Sequence, residues 1–514
     1  MERAEAVLEW VNGRFFGVAL PMLLFFAGLL YALCLRGFPF IHPLRTLRLG
    51  LGGGKTARHA LTMALSGTLG VGNVAGVALA IAYGGPGAVF WMWISALIST
   101  FLKYAEIVLA LCHRRKSEEG FTGGAMYYMR RAAEGRMGRA GAFFFAVLCV
   151  FTAFCLGGLV QSASAAESLS DAFALPPAFS GLLLLFISAP VVCGGAKRIA
   201  SFTARLIPLL SGLYLFLALW AILGHLDGMG GVLGRILSDA VRVESGGAGV
   251  LAFLSSRALR YGVSRGLLSH EAGAGTAPMA HATADNTPAA QGILGIFEVL
   301  IDTFVFCTLT AFVLLLAYPE GVPLLGGMEL MNGSFLALTG RAAPPLLAIS
   351  VFLFAYATVI SWCYYGKCAV AYLSPRRGVR GVYLFFYLLS LPLGTMLSGG
   401  LVWHLTDTVL SALTMLHALF LLPMVGEVRA VTRSSGLIGG KERRKGAGYG
   451  KIRLGWGEKA DFLSRRGKRK GKTQSMEQSS FSLLAATVKP ISQKGVSDGG
   501  HMHANLVGAA GKKQ

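Results

Sequence analysis

Long apolar runs separated by short polar connections recur along most of the chain, each near the roughly 20 residues that carry a helix across a bilayer core. The pattern predicts about eleven spanning helices. They fall over 14–36, 60–83, 87–113, 139–166, 178–194, 203–224, 257–286, 292–317, 345–371, 379–397 and 400–423. Two of these segments are interrupted. In 60–83, Gly67, Gly70, Gly72 and Gly76 stand among the polar Ser66, Thr68 and Asn73. In 257–286, Gly266, Gly273, Gly275 and Pro278 stand among Ser269, His270, Glu271 and Thr276. Irregular backbone inside hydrocarbon is tolerated only where protein covers it or it lines a cavity. Both segments are therefore predicted to be discontinuous helices at a binding site. Between them, Gly84-Gly85-Pro86-Gly87 turns the chain into an aromatic-rich helix.

Composition agrees: 54% of residues are hydrophobic, 14% are charged, and mean hydropathy is +0.60. This predicts an all-α, polytopic membrane protein and argues against several soluble domains. The net charge of +22 does not point to nucleic acid, because 19 Lys and Arg against 6 Asp and Glu lie from Glu427 onward. Much of the remaining excess sits in alternate short loops, at Arg45, Arg48, Lys55 and Arg58, at Arg114, Arg115, Lys116, Arg130 and Arg131, and at Lys197 and Arg198. The intervening connections are neutral or acidic. The positive-inside rule puts the basic loops in the cytoplasm, so a multi-pass inner-membrane protein is expected with its N-terminus outside and its tail inside. The connection 225–256, of mixed charge, is expected to hold an interfacial helix. Residues 427–514, rich in Gly, Ser, Lys and Arg, read as a disordered basic cytoplasmic tail whose clusters suit anionic lipid headgroups. The first apolar run follows an acidic start and has no A-x-A site after it, so a retained helix is expected.

Unwinding a helix frees N–H groups on one half and C=O groups on the other. The N–H end suits a carboxylate, and carbonyls with hydroxyls suit a hard cation such as Na+. Many secondary transporters pair two such breaks across inverted repeats. Setting 1–36 aside as an extra helix, 60–224 and 257–423 divide into two five-helix repeats, each opening on an interrupted segment. Thr68, Gly70 and Gly72, with Ser269, His270 and Gly273, are the expected substrate-facing residues of the two breaks. No nucleophile–base constellation, CxxC or metal-spaced Cys/His cluster appears, so neither an enzyme nor a resident cofactor is expected. Gly50–Thr56 lacks the first glycine of a phosphate-binding loop, Leu49 standing in its place. His501 and His503 have no companion ligands. Lys103 and Glu106 share a helix face and read as an intramembrane ion pair with a possible gating role. Asp302 and Thr303 read as buried glue or as part of an ion route, and Glu271 as a cap or a conformational coupler.

SGTLGVGN (66–73), GGPGAVFWMWISA (84–96), LKYAEIVLA (102–110), SRGLLSHEAGAGTAP (264–278), QGILGIFEVLIDTFVFCTLTA (291–311) and ISWCYYG (360–366) resemble, in order, the alanine or glycine:cation symporter family of the amino acid–polyamine–cation superfamily. The resemblance spans roughly 15–425 and implies the fold of the neurotransmitter:sodium symporters plus one N-terminal helix. It implies Na+- or H+-coupled uptake of alanine, glycine or a similar small amino acid by alternating access. Asn73 and Thr68 would form one sodium site, and Ser66 and Leu69 with Thr358 and Ser361 a second. Gln161 and Trp362 match family residues at the substrate. His270 stands where the family usually has Asn, and a histidine there keeps proton coupling open. A carrier for another amino acid, a channel and a transport-dead ligand sensor are the competing readings.

Overall fold

The computed structural model describes residues 2–117, 120–133, 135–242 and 256–438. Every apolar segment read from the sequence coincides with helix, because in lipid a helix alone satisfies each backbone N–H and C=O within its own segment. Among the described residues, seven helices are long and apolar enough to cross a membrane, or eight with the bent pair Lys55–Thr68 and Val71–Gly84 taken as one span. The shorter Pro177–Cys193 and the two parts of the second interrupted segment fall below that length. Arg377–Gly394, over the expected span 379–397, is an 18-residue helix that is not among the seven, and the remaining described structure is the hairpin Arg115–Ser117 and Gly120–Thr122 with short connecting helices.

The first interrupted helix breaks where the glycines predict. Lys55–Thr68 ends at Leu69, Gly70 is extended (φ −134°, ψ −162°), Val71–Asn73 makes one tight turn, and Ala75–Gly84 resumes at 59° to the first half. The second, Arg257–His270, stops because Glu271 is left-handed (φ 51°), and Gly273 (φ 84°) and Gly275 (φ 76°) keep the chain unwound until the short turn Pro278–His281. Only glycine enters that region without strain. Both breaks are buried within the protein.

Wider π turns lie inside three otherwise continuous spans, the first at Asn12–Phe16 within Arg3–Cys34. Residues Ala153–Val160 within Gly135–Phe173, and Ile301–Cys307 within Pro288–Ala317, are wound as π-helix. No sequence signal predicts these wider turns. Helix Ala88–His113 is the most enclosed span, 83% of its apolar window being buried, whereas the N-terminal span Arg3–Cys34 is peripheral at 33%. The neighbouring helix Pro288–Leu300 packs against Ala88–His113 across Gly292, where a Cβ would come 2.8 Å from the Tyr104 ring.

Two connections differ from the irregular chain expected, and a third, 225–256, holds the helix expected of it. Residues 318–344 contain helix Gly327–Thr339, which joins Ala343–Leu373 in one long bent element. The connection 225–256 holds helix Met229–Ala240, with Val232 and Ile236 buried and Leu233 and Leu237 exposed, as an interfacial helix requires; 243–255 lie outside the described residues. Past Glu427, helix Val425–Ser434 continues the fold, and Thr432 meets the Tyr104 hydroxyl at 2.9 Å. The rest of the tail, 439–514 with His501 and His503, lies outside the described residues.

Candidate functional site

The two breaks meet at one side chain. Asn73, in the tight turn of the first break, donates from Nδ2 to Asp302 Oδ1 at 2.6 Å and to Ser269 Oγ at 2.9 Å. Ser269 closes the second broken helix and donates in turn to Asp302 Oδ2 at 2.6 Å, with Cys307 Sγ 3.1 Å away. Asn73 Oδ1 accepts from Gly70 N, and the Asn73 carbonyl accepts from Thr310 Oγ1 at 2.8 Å. Thr303 Oγ1 lies 3.4 Å from the same carboxylate. Asn73, Ser269, Asp302, Thr303 and Thr310 are all fully buried. A carboxylate ringed by hydroxyls and an amide, without an arginine or lysine against it, is the oxygen-rich setting that a hard cation takes.

A second set gathers on the other side of the first break. Ser66 Oγ touches Ser361 Oγ, and Thr358 Oγ1 lies 3.5 Å from the Leu69 carbonyl. Ser66, Leu69, Thr358 and Ser361 are thus brought together from segments nearly 300 residues apart. Thr68 is not joined to Asn73; its hydroxyl bonds back to Leu65 O at 3.3 Å, as threonines in helices often do.

Gln161 reaches the unwound backbone through the π segment Ala153–Val160. The wide turn leaves Leu156 O to accept from Gln161 Nε2 at 3.1 Å, which aims Oε1 at Val71 N, 3.2 Å away. The freed N–H of the first break is therefore satisfied by a side chain that a carboxylate could displace. Gly70 is pressed between Gln161 and Thr358, whereas Gly72 has nothing within 3.9 Å of a Cβ position.

In the second break, Glu271 accepts from Trp362 Nε1 at 3.1 Å and from Thr276 Oγ1 at 2.7 Å. His270 turns back on its own chain: Nδ1 accepts from Ala272 N at 3.0 Å, and Nε2 is buried without a partner. The Gly273 carbonyl accepts from His417 Nδ1 at 2.6 Å, and His417 Nε2 takes the Tyr128 hydroxyl, which fixes the tautomer. His270 and Gly273 are thus not gathered with Asn73 and Ser269. Lys103 pairs first with Glu298 at 3.1 Å, and Glu106 stands 3.9 Å away. Glu106 instead accepts from Gly275 N at 3.0 Å, and Glu298 accepts from His281 Nε2 at 3.1 Å. The expected pair is a network that straps the second break to helix Ala88–His113.

Sequence reasoning left Asp302 undecided and did not single out Cys307, Thr310 or Glu298 for the site. The signal for Asp302 was available: with Glu298 it is one of two carboxylates in a span otherwise reading as apolar.

The chain matches the model of the sodium:alanine symporter family over residues 1–435. It is 33% identical to the sodium/alanine symporter AgcS of Methanococcus maripaludis over 445 residues, covering 84% of this chain and 96% of that protein. It is 35% identical to the probable sodium/glutamine symporter GlnT of Bacillus subtilis over 370 residues, covering 71% and 76%. Among solved structures it is similar to MhsT in complex with L-phenylalanine (TM-score 0.52, 13% identity, 74% of this chain and 89% of that one). A Na+-coupled sialic acid symporter is likewise similar (TM-score 0.50, 14% identity, 78% and 85%).

Proposed function

Because the chain belongs to the sodium:alanine symporter family, a family of membrane transporters and not of enzymes, we propose that it carries a small neutral amino acid, alanine or glycine, into the cell with Na+. One observation carries this reading: Asn73 from the first break and Ser269 from the second share the carboxylate of Asp302. A cation at Asp302 would tie the two breaks together, and its departure would release them, which is the coupling that alternating access requires.

Charge supports it. The described interior buries Glu106, Glu271, Glu298 and Asp302, yet Lys103 is the one fully buried lysine or arginine among the described residues. Arg265, at 8% exposure, is engaged by Asp407. Uncompensated buried carboxylates are costly, so the site favours a bound cation or protons. Ser66, the Leu69 carbonyl, Thr358 and Ser361 would supply a second cation position. The substrate carboxylate would take Val71 N beside Gly70 and Gly72, displacing Gln161, with Trp362 limiting side-chain size. The two repeats 60–224 and 257–423 would move against each other, with basic loops and tail cytoplasmic and the N-terminus outside.

Purified protein in proteoliposomes, loaded with separate Na+ and H+ gradients, tests the proposal. Alanine uptake driven by an inward Na+ gradient is expected, and Asp302→Asn should need far more Na+ to sustain it. Uptake driven by H+ alone would reassign the coupling ion, and a competition panel with glycine and glutamine decides the substrate. Binding without uptake under either gradient would make the protein a ligand sensor.

A further inference from the structure

Away from this site, a cavity of about 350 Å³ opens at the end of the N-terminal span. Arg36, His42 and Arg45 line one part of it, and Phe38, Ile41 and Leu437 the other. None of the three basic side chains makes a hydrogen bond or ion pair with another described residue. Arg36 has a left-handed backbone (φ 55°) two residues past the end of helix Ala19–Cys34.

The neighbouring helix Pro43–Leu51 explains where the cavity lies. Thr46 and Gly50 face the protein, Gly50 so closely that a Cβ would meet Ile293 Cγ2 at 2.9 Å. Leu44 (72% exposed), Leu47 (42%) and Leu51 (72%) form an open apolar stripe, and Arg45 and Arg48 flank it. A short helix with exposed leucines on one side and arginines beside them lies in the plane of a membrane surface. It joins a span ending at Cys34 to one beginning at Lys55, which sets it at the membrane edge.

We propose that this cavity is a binding site for the headgroup of an anionic phospholipid, its phosphodiester held by Arg36 and Arg45 and its glycerol and upper acyl chains against Phe38, Ile41 and Leu44. Arginine suits a phosphodiester because its planar fork donates two parallel hydrogen bonds. The apolar half of the lining and the leucine stripe select a lipid over a free phosphate. The chain's own continuation is the wrong occupant: Lys441, Arg443, Arg444 and Lys445 carry the same sign as the cavity. The packing of Gly50 on Ile293 gives the lipid a route to helix Pro288–Leu300, whose Glu298 holds Lys103.

Native mass spectrometry of the full chain in an equimolar mixture of phosphatidylglycerol, phosphatidylethanolamine and phosphatidylcholine reads the binding directly and does not depend on transport. Phosphatidylglycerol adducts are expected to outlast the other two, with retention falling about fivefold for each of Arg36→Gln and Arg45→Gln. Equal retention of the three lipids by the unaltered chain would overturn the proposal, and that comparison needs no variant to fold. So would unchanged retention by a double variant that elutes as the parent does. Displacement of the lipid by millimolar inorganic phosphate would assign the site to the free anion instead.

Discussion

Asp302 is the residue on which the most depends, because it alone faces both breaks with charge. Asp302→Asn keeps its shape and removes that charge. The expected outcome is a rise of tenfold or more in the Na+ concentration giving half-maximal uptake, about 1.4 kcal/mol or more, with substrate preference unchanged. Gly70 and Gly72 make a second, paired prediction. A methyl at Gly70 would come 2.6 Å from Thr358 Oγ1 and 3.2 Å from Gln161 Oε1, so Gly70→Ala must displace the pieces of both proposed sites and abolish uptake. A methyl at Gly72 meets nothing nearer than 3.9 Å, so Gly72→Ala leaves the fold and its melting temperature intact. If the substrate comes against this backbone, Gly72→Ala raises its KM; an unchanged KM would move the substrate elsewhere. Of these residues, the glycines and Asn73 were legible, because unwinding leaves a mark in composition. The role of Asp302 was not, since its partner Asn73 lies 229 positions away and no local spacing links them.

Among elements, helix Ala88–His113 acts as the fixed post to which the second break is strapped. Lys103 and Glu106, three apart, invited a local pairing. The fold instead gives Lys103 to Glu298 on the packed helix and turns Glu106 to the unwound Gly275 backbone. A sequence shows only the neighbour on its own helix, so the cross-helix acceptor was hidden. Lys103→Met would strand a buried Glu298 carboxylate, and destabilisation of about 3–5 kcal/mol is expected. Adding Glu298→Leu should restore most of it, read as recovery of melting temperature in detergent; no recovery would show that the strap to His281 matters more than the charge. Helix Gly327–Thr339 escaped notice for a related reason. Its Asn332 and Glu329 look like loop residues, yet Asn332 is spent on Asp171 at 2.8 Å and Met328, Leu330, Met331 and Phe335 are buried.

For the whole molecule, the fold is set by where apolar length and positive charge fall, and both are visible in the sequence. The orientation that follows can be checked on a cysteine-free background, the eight native cysteines forming no disulfide among the described residues. With Lys197→Cys in a basic connection and Glu320→Cys in an acidic one, a membrane-impermeant maleimide added to intact cells should label Glu320→Cys alone. The reverse pattern would invert the proposed topology.

The π segment Ile301–Cys307 has one more consequence. Asp302 and Thr310 both clasp Asn73, though they stand eight positions apart, a spacing that in a regular helix of about 3.6 residues per turn would point them about 80° from each other. The wide turn absorbs one residue and brings them onto a common face, as if the interval were seven. In that sense the segment behaves as an ordinary helix carrying a single-residue insertion. Shortening the gene by the codon for Phe304, whose side chain points partly outward, should therefore close the wide turn into regular helix and leave both clasps in phase. Removing a codon from the regular stretch Val313–Leu316, beyond both clasps, has no such slack to draw on and should throw the end of the helix out of register.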